Sequence, residues 1–159
     1  MATGAGMQQT GQAGEHYVAA ELCRRGAYAV TFSGNIPNFD IIASNREQTR
    51  AVQIQVKTKR TKGVWHASSD HGRPRRKPKD EIRFWVLVDL SKPFGELPDF
   101  YVIPEYWIQN DIHKNHTAYL AKHGGKRPSG SESKHHSITM KRVEQWKGRW
   151  DILGVTNDR

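Results

Sequence analysis

The stretch "GNIPNFDIIASNREQTRAVQIQVKTK", residues 34–59, opens one apolar run on Asp40 and sets Gln55 and Lys57 two residues apart in another. Between the runs the residues are polar, so "FDIIAS" (39–44) and "RAVQIQVKTK" (50–59) read as two strands of a hairpin around Asn45 to Thr49. In the second strand Val52, Ile54 and Val56 face one way, and Gln53, Gln55 and Lys57 the other. If Asp40 lies opposite Gln55, then Ile41 meets Ile54 and Ile42 meets Gln53, with residues 45–50 as the loop. That register brings Asp40 to about 5 Å from Gln55 between Cβ atoms. A slip of one residue would drive Asp40 into the Val/Ile face. A slip of two would set it beside Lys57 instead, and the pattern allows it.

A helix precedes the hairpin. "GEHYVAAELCRR" (14–25) has an apolar stripe of Val18, Ala19 and Leu22, stopped by Gly26. Glu15 lies on that stripe, and an acid aimed inward costs free energy unless it finds a partner. The alternative is a first-turn acid favoured by the helix dipole. Glu21 falls off the stripe and reads as solvated. Cys23 reads as a buried small hydrophobe, and being the single cysteine it excludes disulfides and multi-cysteine zinc sites.

Further along, "AYAVTFS" (27–33), "EIRFWVLVDL" (81–90) and "DFYVIP" (99–104) read as strands. A helix is expected to begin after Pro104, and "TMKRVEQWKGRWDIL" (139–153) suggests a last one, with Trp146 and Trp150 on a shared face. Residues 1–10 read as a flexible lead-in and 11–159 as one domain, with basic loops at about 60–80 and 122–137. The stretch "RPRRKPK" (73–79) is too Pro-rich for a helix and reads as an arm that is disordered or orders on binding. Trp85 reads as core. For Trp65, base stacking and core packing stand level.

Charge narrows the partners. The chain carries a net +9, with nine basic residues against one acid from Lys57 to Lys79, and eight against two from Lys122 to Arg149. The rest of the chain is therefore net acidic, and this segregation of sign suits a phosphate backbone, nucleic acid before membrane. No apolar run is long enough to cross a bilayer, and the first residues lack the pattern of a secretory signal. The expected setting is the reducing cytoplasm.

An Asp, an amide, a Lys and a Glu beside a positive patch point to one chemistry. Carboxylate and amide oxygens are hard ligands for Mg²⁺, which keeps waters and binds phosphate. Such a metal polarises a phosphodiester and acidifies a water, while a lysine orients that water and offsets transition-state charge. An exposed sheet face fits the same pattern equally well. His113 and His116, at helical i, i+3 spacing, make only a weak metal pair.

The residues "GEHYVAAEL…GNIPNFDII…VQIQVKTK" resemble the PD-(D/E)xK nuclease superfamily, and especially its archaeal Holliday-junction-resolvase-like and Mrr-like members. The resemblance covers roughly residues 11–60, and less specifically the segment to about 110. It implies a restriction-endonuclease-like α/β fold, an αβββαβ core whose mixed central sheet is flanked by helices. Asp40 then matches the metal-binding aspartate, Gln55 the (D/E) position, Lys57 the catalytic lysine and Glu15 the helix acid that helps hold the metal. Pro37 is similar to the motif's proline, though not adjacent to Asp40. Gln55 departs from the commoner acid but resembles the Q-x-K form of Mrr-like members, and the loss of one negative charge weakens the metal site.

The resemblance implies a Mg²⁺- or Mn²⁺-dependent DNA endonuclease of restriction, repair or junction-resolving type. It also implies 5′-phosphate and 3′-hydroxyl products and, as in many small members, a homodimer. Lys59, Arg60, Lys62, Arg73, Arg75, Arg76, Lys77, Lys79, Lys126 and Arg127 are the expected phosphate contacts. Two other functions remain open: a DNA-binding module whose site has decayed through Gln55, and a nuclease directed at RNA.

Overall fold

The computed structural model describes residues 4–34, 36–126 and 133–157. Helix α1 (Gly4–Arg24) leads into strands β1 (Tyr28–Thr31), β2 (Ile41–Ser44) and β3 (Ala51–Lys59). A short strand β4 (Trp65–Ser68) and a single 3₁₀ turn (Ser69–His71) follow, then β5 (Arg83–Asp89), β6 (Asp99–Pro104) and α2 (Glu105–Lys122). Strand β7 (His135–Ile138) and the one-turn helix α3 (Met140–Val143) complete the chain, with 3₁₀ turns at Glu144–Trp146 and Trp150–Leu153. The second long helix thus comes only after β5 and β6, later than the αβββαβ shorthand places it.

The main sheet is mixed, in the order β1-β2-β3-β5-β6. The β3–β5 pair is parallel and the other three pairs are antiparallel. Alternation along the strands divides the protein into two cores. On one face Val18 and Leu22 of α1 pack on Ile41, Val52, Ile54, Val56, Val86 and Val102, closed by Trp150, Leu153 and Val155. On the other, Trp85, Leu87, Tyr101 and Ile103 meet Ile108 and Ile112 of α2, together with Trp65 and Ile138 from the β4–β7 ribbon. Strand β5 is buried on both faces, as its unbroken "FWVLV" requires.

Several expectations change. The first helix starts at Gly4, ten residues before Gly14. Glu21 is buried, not solvated, because Arg24 and Arg25 both donate to its carboxylate at the helix end. Cys23 is exposed rather than buried. Trp65 belongs to the core, its indole Nε1 donating to Val88 O at 2.8 Å. The expected final helix breaks at Gly148, which takes a φ of 66° and donates its N–H to Phe100 O at 2.8 Å. Docked on β6 in this way, the segment sends its tryptophans apart: Trp150 stacks on Phe100 and Trp146 on Trp107.

Candidate active site

Asn45 shapes the hairpin that carries the site. Its side-chain oxygen accepts the N–H groups of both Thr49 and Arg50, closing a loop that fixes which residues face each other across the strands. The resulting register pairs Ile41 with Ile54, Ile42 with Gln53 and Ser44 with Ala51, the first of the alternatives read from the sequence. Asp40 sits one residue outside β2, its N–H donating to Ile54 O at 2.8 Å. Its carboxylate Oδ2 accepts two donors at 2.7 Å, the Gln55 side-chain amide and the Val56 N–H.

Glu15 reaches this end of the sheet because α1 crosses β3 closely at Gly14. A Cβ on Gly14 would overlap the Thr58 side chain, whose hydroxyl is buried there without a hydrogen-bond partner. Only glycine allows that approach. The two acids feel each other. Burial raises the Glu15 carboxyl above the ordinary range and the Asp40 charge raises it further, with His16 opposing. Burial also raises Asp40, although the Val56 N–H, Lys57 and Gln55 all pull it down. Lys57 lies one step along the same face from Gln55, its Nζ 5.9 Å from the Trp85 ring centroid.

These shifts have a consequence for stability. The folded state holds protons on Glu15 and Asp40 more tightly than the unfolded chain does. Their contribution is full below the ordinary carboxylate pKa and is lost as pH rises through the raised folded values. Metal-free protein should therefore lose melting temperature as pH climbs through and just above the usual carboxylate range. The double variant Glu15→Gln/Asp40→Asn should flatten that decline in thermal melts; an unchanged pH profile would place the strain elsewhere.

Two carboxylates and an amide oxygen are hard donors that fit a divalent cation of the Mg²⁺ class, and such a cation would relieve the repulsion between the acids. Among the described residues no group of three or more His, Cys, Asp or Glu side chains stands ready for a metal.

The basic residues sort into three kinds. Lys59 is withdrawn from the expected phosphate contacts: it is buried, pairs with Asp89 at 2.8 Å and lies 4.7 Å from the Trp65 ring centroid. Lys59 follows Lys57 on the same strand face, but there β4 and β5 cover it. Arg75 is partly engaged, donating to Gln109 at 3.0 Å and pairing with Glu105 at 3.4 Å. Arg60, Lys62, Arg73, Arg76, Lys77, Lys79 and Lys126 are exposed, and Arg127 lies outside the described residues.

The segment from Arg73 to Lys79, where the sequence suggested an unfixed arm, is a strap whose first residues, Arg73 and Arg75, dock on α2. Arg73 N–H donates to Gln109 O, and Asn110 both accepts the Arg75 N–H and donates to its carbonyl. Gly72 makes the docking possible, because a Cβ there would meet Ile112 and the His113 backbone at 2.9–3.1 Å. The strap brings in a residue that sequence reasoning missed. His71, just before Gly72, is partly buried and meets the Trp85 ring edge-on at 5.0 Å between centroids. No motif marks it; only the docking of the turn places it there.

No family model and no curated protein sequence matches the chain. Solved structures do. The bacterial homing endonuclease I-Ssp6803I superposes with a TM-score of 0.50 at 16% identity, over 97% of this chain and 94% of that one. The Holliday junction resolvase Hjc of Archaeoglobus fulgidus superposes with a TM-score of 0.50 at 15% identity, over 91% of this chain and 95% of its own. No helix among the described residues is long and apolar enough to cross a membrane. The chain thus shares the fold of these two proteins, a restriction-endonuclease-like α/β fold with a mixed five-stranded sheet flanked by helices.

Proposed function

We propose that the protein is a Mg²⁺- or Mn²⁺-dependent endonuclease that hydrolyses DNA phosphodiester bonds. The observation that carries this reading is the convergence of Glu15, Asp40, Gln55 and Lys57 at one end of the sheet, beside an exposed basic strap. Asp40, the Gln55 carbonyl oxygen and Glu15 would hold the cation. When bound, it supplies Lewis acidity toward the phosphodiester and a more acidic water. The protein's own residues do the rest. The Val56 N–H and the Gln55 amide both hold the Asp40 carboxylate through Oδ2 and so restrict its orientation. Lys57, resting on the Trp85 face, orients the attacking water and offsets charge gathering on the phosphoryl oxygens. The exposed cations of the strap hold the backbone without reading bases.

The test is a cleavage panel of duplex, single-stranded, branched and RNA substrates with Mg²⁺ or Mn²⁺. Divalent-dependent cutting of DNA is expected; no cutting of any substrate removes the enzyme reading. Gln55→Glu tests the third ligand. It replaces an amide donor to Asp40 with a second anion, which should lower the metal-free melting temperature and tighten Mn²⁺ binding by roughly tenfold or more. An unchanged calorimetric affinity would mean that Gln55 does not reach the metal.

A further inference from the structure

We propose that His71 is a phosphate contact beside Lys57 that takes up a proton when DNA arrives, an inference that rests on the nucleic-acid reading above. Its position is built rather than incidental. The Ser69–His71 turn is capped by the Ser68 hydroxyl, which accepts the Asp70 N–H. Ser69 N–H donates to Lys134 O at 2.7 Å on one side, and Gly72 is pressed against α2 on the other. Residues pinned on both flanks can hold a side chain to the tolerance that a site needs.

The ring's neighbours define its task. Trp85, on which it rests, is the register partner of Gln55 and carries the Lys57 Nζ over its own ring. His71 thus stands between Lys57, held over the same Trp85 ring, and Arg73, the first exposed cation of the strap. A phosphate held between those two cations would meet the imidazole.

The charges around it come from each neighbouring element. Lys57 faces it from β3, and Asp70 and Arg73 from its own segment. Asp70 is also paired with Lys134 at 2.9 Å. Trp85, which meets the ring from β5, contributes no opposing acid. Burial first, then Lys57 and Arg73, hold the imidazole below the ordinary histidine range, with only Asp70 opposing. This environment favours the neutral imidazole over the imidazolium. An arriving phosphate offsets both cations and makes the imidazolium favourable as a charge-assisted donor to its oxygens. A ring whose bound pKa exceeds its free pKa binds a proton with the ligand, so affinity rises as pH falls through that window.

The experiment measures anisotropy of a labelled duplex, without divalent metal and at constant salt, between about pH 8.5 and pH 5.5, where histidine titrates. Wild type is compared with His71→Phe, which keeps a ring on Trp85, and His71→Gln, which keeps a neutral hydrogen-bonding group. Both variants should bind roughly five- to tenfold more weakly than wild type at the acid end, as for one lost charged phosphate contact, with the gap closing toward the alkaline end. Thermal melts show that each variant is folded. If either folded variant keeps the wild-type gain at low pH, the proposal for His71 fails while the DNA reading stands. If wild type itself binds no duplex, both fall together.

Discussion

Lys57→Ala is expected to lower the rate of DNA cleavage by roughly 10²- to 10³-fold while leaving duplex binding largely in place. The expectation follows from where the side chain sits. It shares a strand face with Gln55, its charge acts on the Asp40 carboxyl, and the Trp85 ring supports it from below. Its loss removes a charge from the point where charge develops, not from the surface that holds the backbone. Lys57→Arg should restore only part of the rate, because a planar guanidinium does not place its charge where the ammonium was. Single-turnover cleavage of an end-labelled substrate separates this effect from binding. Cleavage at the wild-type rate in Lys57→Ala would dismantle the site, whatever the fold.

The second large effect concerns stability. Asp89→Ala should cost about 3–5 kcal/mol, the range for removing one partner of a buried ion pair. The Lys59 and Asp89 side chains are only 6% and 5% exposed and 2.8 Å apart. Burial acts to raise the Asp89 carboxyl, but the hydrogen bonds from Lys59 and Ser91 outweigh it and hold the carboxyl below its ordinary range. Removing Asp89 leaves the Lys59 charge against Trp65 with no water to replace the lost partner. Chemical denaturation measures the loss. The double variant Lys59→Met/Asp89→Leu should regain most of it, since an apolar pair of similar volume avoids the desolvation cost altogether. In that double variant the salt dependence of DNA binding should match wild type. A shallower slope would return Lys59 to the phosphate contacts.

The hairpin shows how much of the site local chemistry carries. Strict alternation from Val52 to Lys57, a one-residue slip excluded by an acid, and an asparagine able to close the loop were all present in one contiguous stretch. They left a slip of two residues open, and the structure chose the register that pairs Ile41 with Ile54 and brings Asp40 to Gln55. The basic segments were equally legible as charge. What each base does was not. Lys57, Lys59 and Arg60 are near neighbours in one run, yet the first lies over Trp85, the second is sealed in an ion pair and the third is exposed.

Local pattern failed wherever a distant segment supplied the partner. Gly148 looked like a weak spot in a helix until Phe100 O offered its N–H a better bond than the helix did. "RPRRKPK" looked unstructured because its hydrogen bonds go to Gln109 and Asn110, some 35 residues away. Glu15 could be read as aimed inward or as a dipole acid. The contact of Gly14 with Thr58 brings it to Asp40, and helix periodicity alone cannot see that contact.

By itself, then, the sequence determined the alternation of the hairpin strands, the face that Gln55 shares with Lys57, the exclusion of a one-residue slip and the segregation of positive charge. Each of these is set by side-chain alternation and turn chemistry over a few residues. Only the tertiary structure decided that Glu15 comes near Asp40, that Lys59 leaves the surface and that His71 meets Trp85 beside Lys57. Those outcomes depend on two glycines that let a helix touch a strand and a turn touch a helix, and on which side chains the remote β4–β7 ribbon covers. Close approach between segments distant in sequence is a property of the packed chain, and no short-range pattern encodes it.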